Sequence, residues 1–184
     1  MFKFSTEVTD RERQIITRAI DLMNNQFPPH CLRISPASST DRDYIMVKKS
    51  SYGCYSRVGT QGGSQELILG NGCYTQRTII HIFGYALGLY PEQSRPDRDQ
   101  YVEIIPNNIR PTMAHNFAKK SSYNVTSVPY DGRSIMHDRH DAYSKSTLAT
   151  IRSKIPGLPD EELGSSDRFT DLDIAKLKLL YGCL

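Results

Sequence analysis

His81-Ile82-Phe83-Gly84-Tyr85-Ala86-Leu87-Gly88-Leu89-Tyr90-Pro91-Glu92-Gln93-Ser94-Arg95-Pro96-Asp97-Arg98-Asp99 is the stretch on which the reading of this chain turns. Its first part is helical in pattern. Ile79, Ile80, Phe83, Leu87 and Leu89 give the segment from Gln76 to Tyr90 an apolar stripe wide enough for a buried helix, which Gly88 and Pro91 should stop. Within it, His81 and Tyr85 stand one helical turn apart. Such a pair alone says nothing about chemistry, because it occurs on many buried helices. Its meaning comes from the residues downstream of the pair, taken in order.

Upstream, Thr9 followed by Glu12 is a capping box, and Ile16, Ala19, Ile20 and Met23 recur at helical spacing until Pro28-Pro29. Strand-like runs come next at Leu32 to Ser35, Tyr44 to Lys48 and Glu66 to Leu69, the last closed by Gly70. Downstream of Pro91, six prolines break up polar chain with little periodicity. Thr170 is then an expected N-cap for a final helix through Leu172, Ile174, Leu177, Leu180 and Tyr181. The expected class is α+β.

The bulk numbers exclude some functions. With 184 residues the chain can bury a substantial core. Its 23 basic and 20 acidic residues are dispersed, without the basic runs that attract nucleic acid. No apolar stretch is long enough to span a membrane, and MFKFSTEVTD lacks the apolar core of a signal peptide. The four cysteines, Cys31, Cys54, Cys73 and Cys183, allow two bridges in three pairings, or buried thiols. No CxxC pair is present, which argues against a structural zinc knot. Asn124-Val125-Thr126 is a glycosylation sequon.

The central stretch resembles the signature of the astacin family of zinc endopeptidases, H-E-x-x-H-x-x-G-x-x-H-E followed by a run like S-R-x-D-R-D. In that pattern two histidines on one helix face and a third beyond the glycine hold zinc, while the glutamate polarises the metal-bound water. Position by position, His81 matches the first ligand, and Gly88, Glu92 and Ser94 to Asp99 match the frame. Ile82 stands where the general base belongs, Tyr85 and Pro91 where the second and third ligands belong. Ser134-Ile135-Met136-His137 resembles the family's Met-turn, with Asp138 in place of its tyrosine. The resemblance covers nearly the whole chain, through Cys54-Tyr55-Ser56-Arg57-Val58-Gly59, Gly62-Gly63 and Leu69-Gly70-Asn71-Gly72-Cys73 as well.

The resemblance implies an N-terminal lobe over about 1–90, with a twisted mixed sheet and two long helices. It also implies an irregular C-terminal lobe over about 91–184 ending in a helix, and a cleft between them. Further implications are bridges Cys31–Cys183, joining the lobes, and Cys54–Cys73, and a cleft-edge strand at Glu66, Leu67, Ile68 and Leu69, where relatives align peptide as an added strand. With the ligand and base positions changed, the expectation is a pseudoprotease: not an enzyme, no cofactor, and a secreted product that binds an unknown protein or peptide, its leader and pro-segment lying outside this chain. A remodelled metalloenzyme using His81, Asp138, His137 and His140 is one alternative. A structural or antigenic protein with a filled cleft is another. Gly164-Ser165-Ser166 stands where the family often carries a basic specificity residue, and the family's glutamate at Glu92 meets a buried N-terminus.

Overall fold

The structure is a computed structural model, which describes residues 1–183 except Asn124. In chain order the elements are β1 (Phe2–Phe4), α1 (Asp10–Asn25), β2 (Tyr44–Lys49), β3 (Cys54–Ser56), β4 (Ser64–Leu69), α2 (Gln76–Ala86), β5 (Val102–Ile104), β6 (Ile151–Ser153) and α3 (Asp171–Tyr181), with short 3-10 turns between β5 and β6 and around them. The chain divides into two compact units. The first contains Met1–Leu89, Asp167–Phe169 and the stretch from Ile174 on, and the second contains Tyr90–Ser166 with Thr170–Asp173. The start of the last helix thus belongs to the second unit and the rest of it to the first, where the sequence had suggested a simple boundary near residue 90.

In the first unit, α1 starts as its capping box dictates: the Glu12 amide donates to Thr9 Oγ1 at 3.4 Å, and the Thr9 amide donates to the Glu12 carboxylate at 2.8 Å. Ile16, Ala19, Ile20 and Met23 form its buried face, packed against α2. Burial of each large apolar side chain there contributes roughly 1.5–3 kcal/mol.

The four-stranded sheet has the order β1-β2-β4-β3. β2 runs parallel to both β1 and β4, and β3 runs antiparallel to β4, pairing Cys54 with Leu69 and Ser56 with Leu67. This corrects the expected edge. Glu66, Leu67, Ile68 and Leu69 lie on a strand flanked on both sides, and three consecutive buried residues, Leu67, Ile68 and Leu69, are what a central strand covered on both faces requires. The edge beyond β4 is β3, whose Tyr55 is 58% exposed. The run Leu32 to Ser35 is also not a strand. It is loop, with Phe2 bridging to Pro36 and the Phe2 amide donating to Ser35 O.

Both disulfides pair as the resemblance implied, Cys31–Cys183 and Cys54–Cys73. All four cysteines belong to the first unit, so Cys31–Cys183 fastens the C-terminal segment to the loop after α1 and does not join two lobes. The second unit is built on the β5–β6 pair and an apolar cluster of Val102, Ile109, Phe117, Tyr130, Ile151, Leu158 and Leu163. No helix among the described residues is long and apolar enough to cross a membrane.

Candidate metal-helix and Met-turn sites

Thr75 caps α2 by accepting from the Thr78 amide at 3.1 Å, and Ile79, Ile80 and Phe83 face the core. The helix is shorter than the apolar pattern suggested, ending at Ala86, because Gly88 adopts a left-handed φ of 104° and turns the chain. His81 and Tyr85 share the half-buried face of this helix. His81 Nε2 lies 3.2 Å from the Tyr85 hydroxyl, with the rings edge to face at a centroid distance of 4.9 Å. Ile82, at the position of the family's base, is 3% exposed and belongs to the apolar core of the first unit. The carbonyl of Tyr85 accepts from both Gly59 and Gly88 amides at 2.9 Å, which fixes this turn against the β3–β4 connection.

In the second unit the run from Pro91 to Asp99 is organised by a buried guanidinium. Arg95 donates twice to the Asp97 carboxylate, at 2.9 and 2.8 Å, once to Glu92 at 3.2 Å and once to the Val128 carbonyl at 2.9 Å. Its cationic carbon also sits over the rings of Tyr123 and Tyr130. Glu92, fully buried, accepts in addition from the Tyr123 hydroxyl and from the Asp131 amide at 2.9 Å. These partners all come from its own unit. Burial works to lower the Arg95 pKa, but hydrogen bonding to Asp97 and the charges of Glu92 and Asp97 raise it. Burial first, and then the Glu92 charge, push the phenols of Tyr123 and Tyr130 well above the usual range.

The Met-turn is held by hydrogen bonds on both sides of Met136: its amide donates to Ser134 Oγ at 2.9 Å, and its carbonyl accepts from the Glu92 amide at 3.1 Å. Asp138 does not stand open. Gln93 donates to its carboxylate at 2.7 Å and accepts from its amide at 3.0 Å, closing a two-bond ring. His137 is fully buried, with Nδ1 2.6 Å from the Asp138 carbonyl and Nε2 2.8 Å from the Tyr130 hydroxyl. A carbonyl can only accept, so Nδ1 carries a proton and donates, and in the neutral imidazole Nε2 accepts a hydrogen bond from the Tyr130 hydroxyl, which keeps its proton. His140 buries Nδ1 without a partner among the described residues.

Asp138 and His137 are thus committed to Gln93 and Tyr130, and among the described residues no three or more His, Cys, Asp or Glu groups gather in a way that could hold a metal ion. Of the residues in the remodelled set, Asp138, His137 and His140 belong to the second unit and His81 to the first. Gln93 and Tyr130, which clamp two of these residues, were not singled out from the sequence. Nothing in a linear pattern ties residues 45 and 7 positions apart.

Gly164 packs so closely on the Met-turn that a side chain there would meet the His137 carbonyl at 2.2 Å, and its φ of 62° is left-handed. Its amide donates to Gly132 at 2.8 Å. The sequon asparagine, Asn124, lies outside the described residues.

Comparison with known proteins gives a consistent answer. The family model described as Astacin, a peptidase family, matches residues 1–182. The zinc metalloproteinase nas-8 of Steinernema carpocapsae is 36% identical over 99% of this chain, which covers 43% of that protein. Meprin A subunit beta of Mus musculus is 40% identical over 83% of the chain and 22% of its own length. The chain thus spans less than half the length of these curated relatives. Among solved structures, high choriolytic enzyme 1, a hatching enzyme zinc-protease from Oryzias latipes, superposes with a TM-score of 0.88 at 34% identity, covering 100% of this chain and 88% of that one.

These findings overturn two expectations, that the chain is not an enzyme and that it takes no cofactor. Relatives matching 99% of its length, and a structure matching all of it, are named zinc proteases. The expectations rested on Ile82, Tyr85, Pro91 and Asp138 taken together at signature positions. The donor set itself fits zinc in part. On the metal helix an imidazole and a phenol converge, whereas Pro91 offers no donor and Ile82 no proton acceptor.

Proposed function

Since the chain belongs to the astacin family, we propose that it is a metalloprotease homologue that works on polypeptide, engaged as an extended segment along the outer edge of β3. The observation that carries this reading is the position of β3 at the margin of the sheet order β1-β2-β4-β3, with Tyr55 presented to solvent. An edge strand offers unpaired backbone groups to a peptide strand, and pockets beside it select alternate side chains. The two disulfides support secretion into an oxidising compartment.

A second reading is favoured by the names of the relatives: zinc-dependent hydrolysis of the bound polypeptide, with the metal helix altered at Ile82 and Tyr85. The zinc ion would supply Lewis-acid polarisation of a peptide carbonyl and activation of water. What this chain contributes is the placement of His81 and Tyr85 on a fixed helical turn.

The test is amide hydrogen exchange during titration with denatured casein, followed by a search for cleavage products in the presence of zinc. Protection at residues 54–56, with β1 unchanged, is the expected result. Bound casein that leaves β3 unprotected would remove the docking mode. Product formation that depends on zinc would establish the second reading.

A further inference from the structure

We infer that Asn71-Gly72 is a site of spontaneous deamidation, and that its isoaspartate product opens the turn joining β4 to Cys73. It is the one Asn-Gly pair in the chain. The Cys73 amide donates to the Gly70 carbonyl at 3.1 Å and closes a turn whose central residues are Asn71 and Gly72. Asn71 is exposed, and Gly72 has a left-handed φ of 86° with open space where a Cβ would stand. Among the described residues, neither the Asn71 side chain nor the Gly72 amide is held by a hydrogen bond. The reaction needs the Gly72 nitrogen to swing toward the Asn71 side chain, and the Cys73–Gly70 bond is what opposes that movement. The other described asparagines are held differently. Asn24 is bonded to Ile34 through both its side-chain oxygen and nitrogen, and Asn108 and Asn116 donate their side-chain amides to the Ala149 and Met113 carbonyls. Asn25 and Asn107 are exposed, but the amide that would attack is bonded in each case, Gln26 to the Met23 carbonyl and Asn108 to that of Ile105.

In the first step the Gly72 nitrogen bonds to Asn71 Cγ and loses its proton to solvent, while the Cγ–Nδ2 bond breaks and ammonia leaves. Water then adds to one of the two carbonyls of the resulting cyclic imide and breaks its bond to the Gly72 nitrogen. Opening at Cγ gives aspartate with the backbone unchanged. Opening at the main-chain carbonyl gives isoaspartate, whose backbone runs through Cβ and is one carbon longer. The balance is one amide and one water in, one carboxylate and ammonia out, with no redox change. A four-residue turn closed by one hydrogen bond has no slack for an added carbon, so the isoaspartate form loses the Cys73–Gly70 bond and the aspartate form keeps it. The inference does not depend on peptide docking at β3, and its failure would leave that reading untouched.

The experiment incubates the full oxidised chain in mildly alkaline heavy-oxygen water and maps its peptides by mass spectrometry. Label should enter residue 71 at least tenfold faster than residues 25 and 107, and Asn71→Gln should suppress the acidic species that ion exchange resolves. The isoaspartate and aspartate forms are then separated, and hydrogen exchange at the Cys73 amide is compared. It should rise at least tenfold in the isoaspartate form and stay at the wild-type value in the folded Asn71→Asp variant. Label entering residue 71 no faster than residue 107 would overturn the site. Equal Cys73 exchange in the isoaspartate form and in Asn71→Asp would overturn the opening of the turn.

Discussion

The hydroxyl of Ser134 donates to the carboxylate of Asp173 at 2.6 Å, both residues fully buried and 39 positions apart. The other oxygen of Asp173 accepts from the Ile135 amide at 3.2 Å and from the Thr170 amide at 3.1 Å. One carboxylate therefore fixes the entry to the Met-turn and the start of α3. Asp173→Ala should cost roughly 2–4 kcal/mol, because it strands several buried donors, and Ser134→Ala less. Urea unfolding of both variants and of the double variant measures this. Simple additivity of the two losses would show that the contact carries no coupling.

Acid should loosen the start of α1. Partial burial works to raise the Glu12 pKa, but the Lys49 ammonium and the Thr9 amide and hydroxyl bring it below its ordinary value of 4.5. A carboxyl with a depressed folded pKa adds stability that is present above the unfolded value and is lost as pH falls through the folded one. Stability should thus decline below about pH 4.5, and Glu12→Gln should flatten that part of the profile. At neutral pH, Thr9→Ala should cost about 1 kcal/mol through loss of the cap. A Glu12→Gln profile identical to wild type between about pH 5 and 3 would rule out the linkage.

The Cys31–Cys183 bridge closes a separation of 152 residues, against 19 for Cys54–Cys73. In the loop-entropy picture its removal by paired serine substitution should cost about 4–5 kcal/mol, and removal of the shorter one about 3. Denaturation midpoints under non-reducing conditions test the order. Loss of Cys54–Cys73 should also raise hydrogen exchange in β3, since that bridge fastens the edge strand.

Rebuilding two positions of the metal helix tests how far the scaffold still supports proteolysis. The double substitution Ile82→Glu with Tyr85→His supplies a proton acceptor and a second imidazole. Zinc affinity should rise, and any zinc-dependent casein cleavage should increase by about 10²–10⁴, the usual worth of a general base. Zinc stoichiometry by elemental analysis and release of labelled casein fragments read the two effects separately. A folded variant that binds zinc no better than wild type would show that the helix alone does not set the site.

Much of the frame was legible in the residues. Thr9 and Glu12 announced α1 because a capping box is closed by residues three apart, and Ile16 to Met23 carried its period. Thr170 and the final helix were legible for the same local reason. The strands β1, β3, β5 and β6 were not, since three residues hold too little alternation to distinguish strand from loop. The last two depend on partners far along the chain, Ile104 on Ile151 and Val102 on Ser153. The edge was misplaced for a related reason. Glu66 to Leu69 has strong strand composition, but composition does not say which neighbour covers which side.

By itself the sequence determined the family, the helices and the identity of the side chains at each position of the metal helix, because these follow from short-range spacing. Only the tertiary structure decided that β4 is interior and β3 marginal, that both bridges belong to one unit, and that Asp138 and His137 are held by Gln93 and Tyr130. Hydrogen-bond partners and sheet neighbours are chosen by burial, which brings together residues that no local pattern connects.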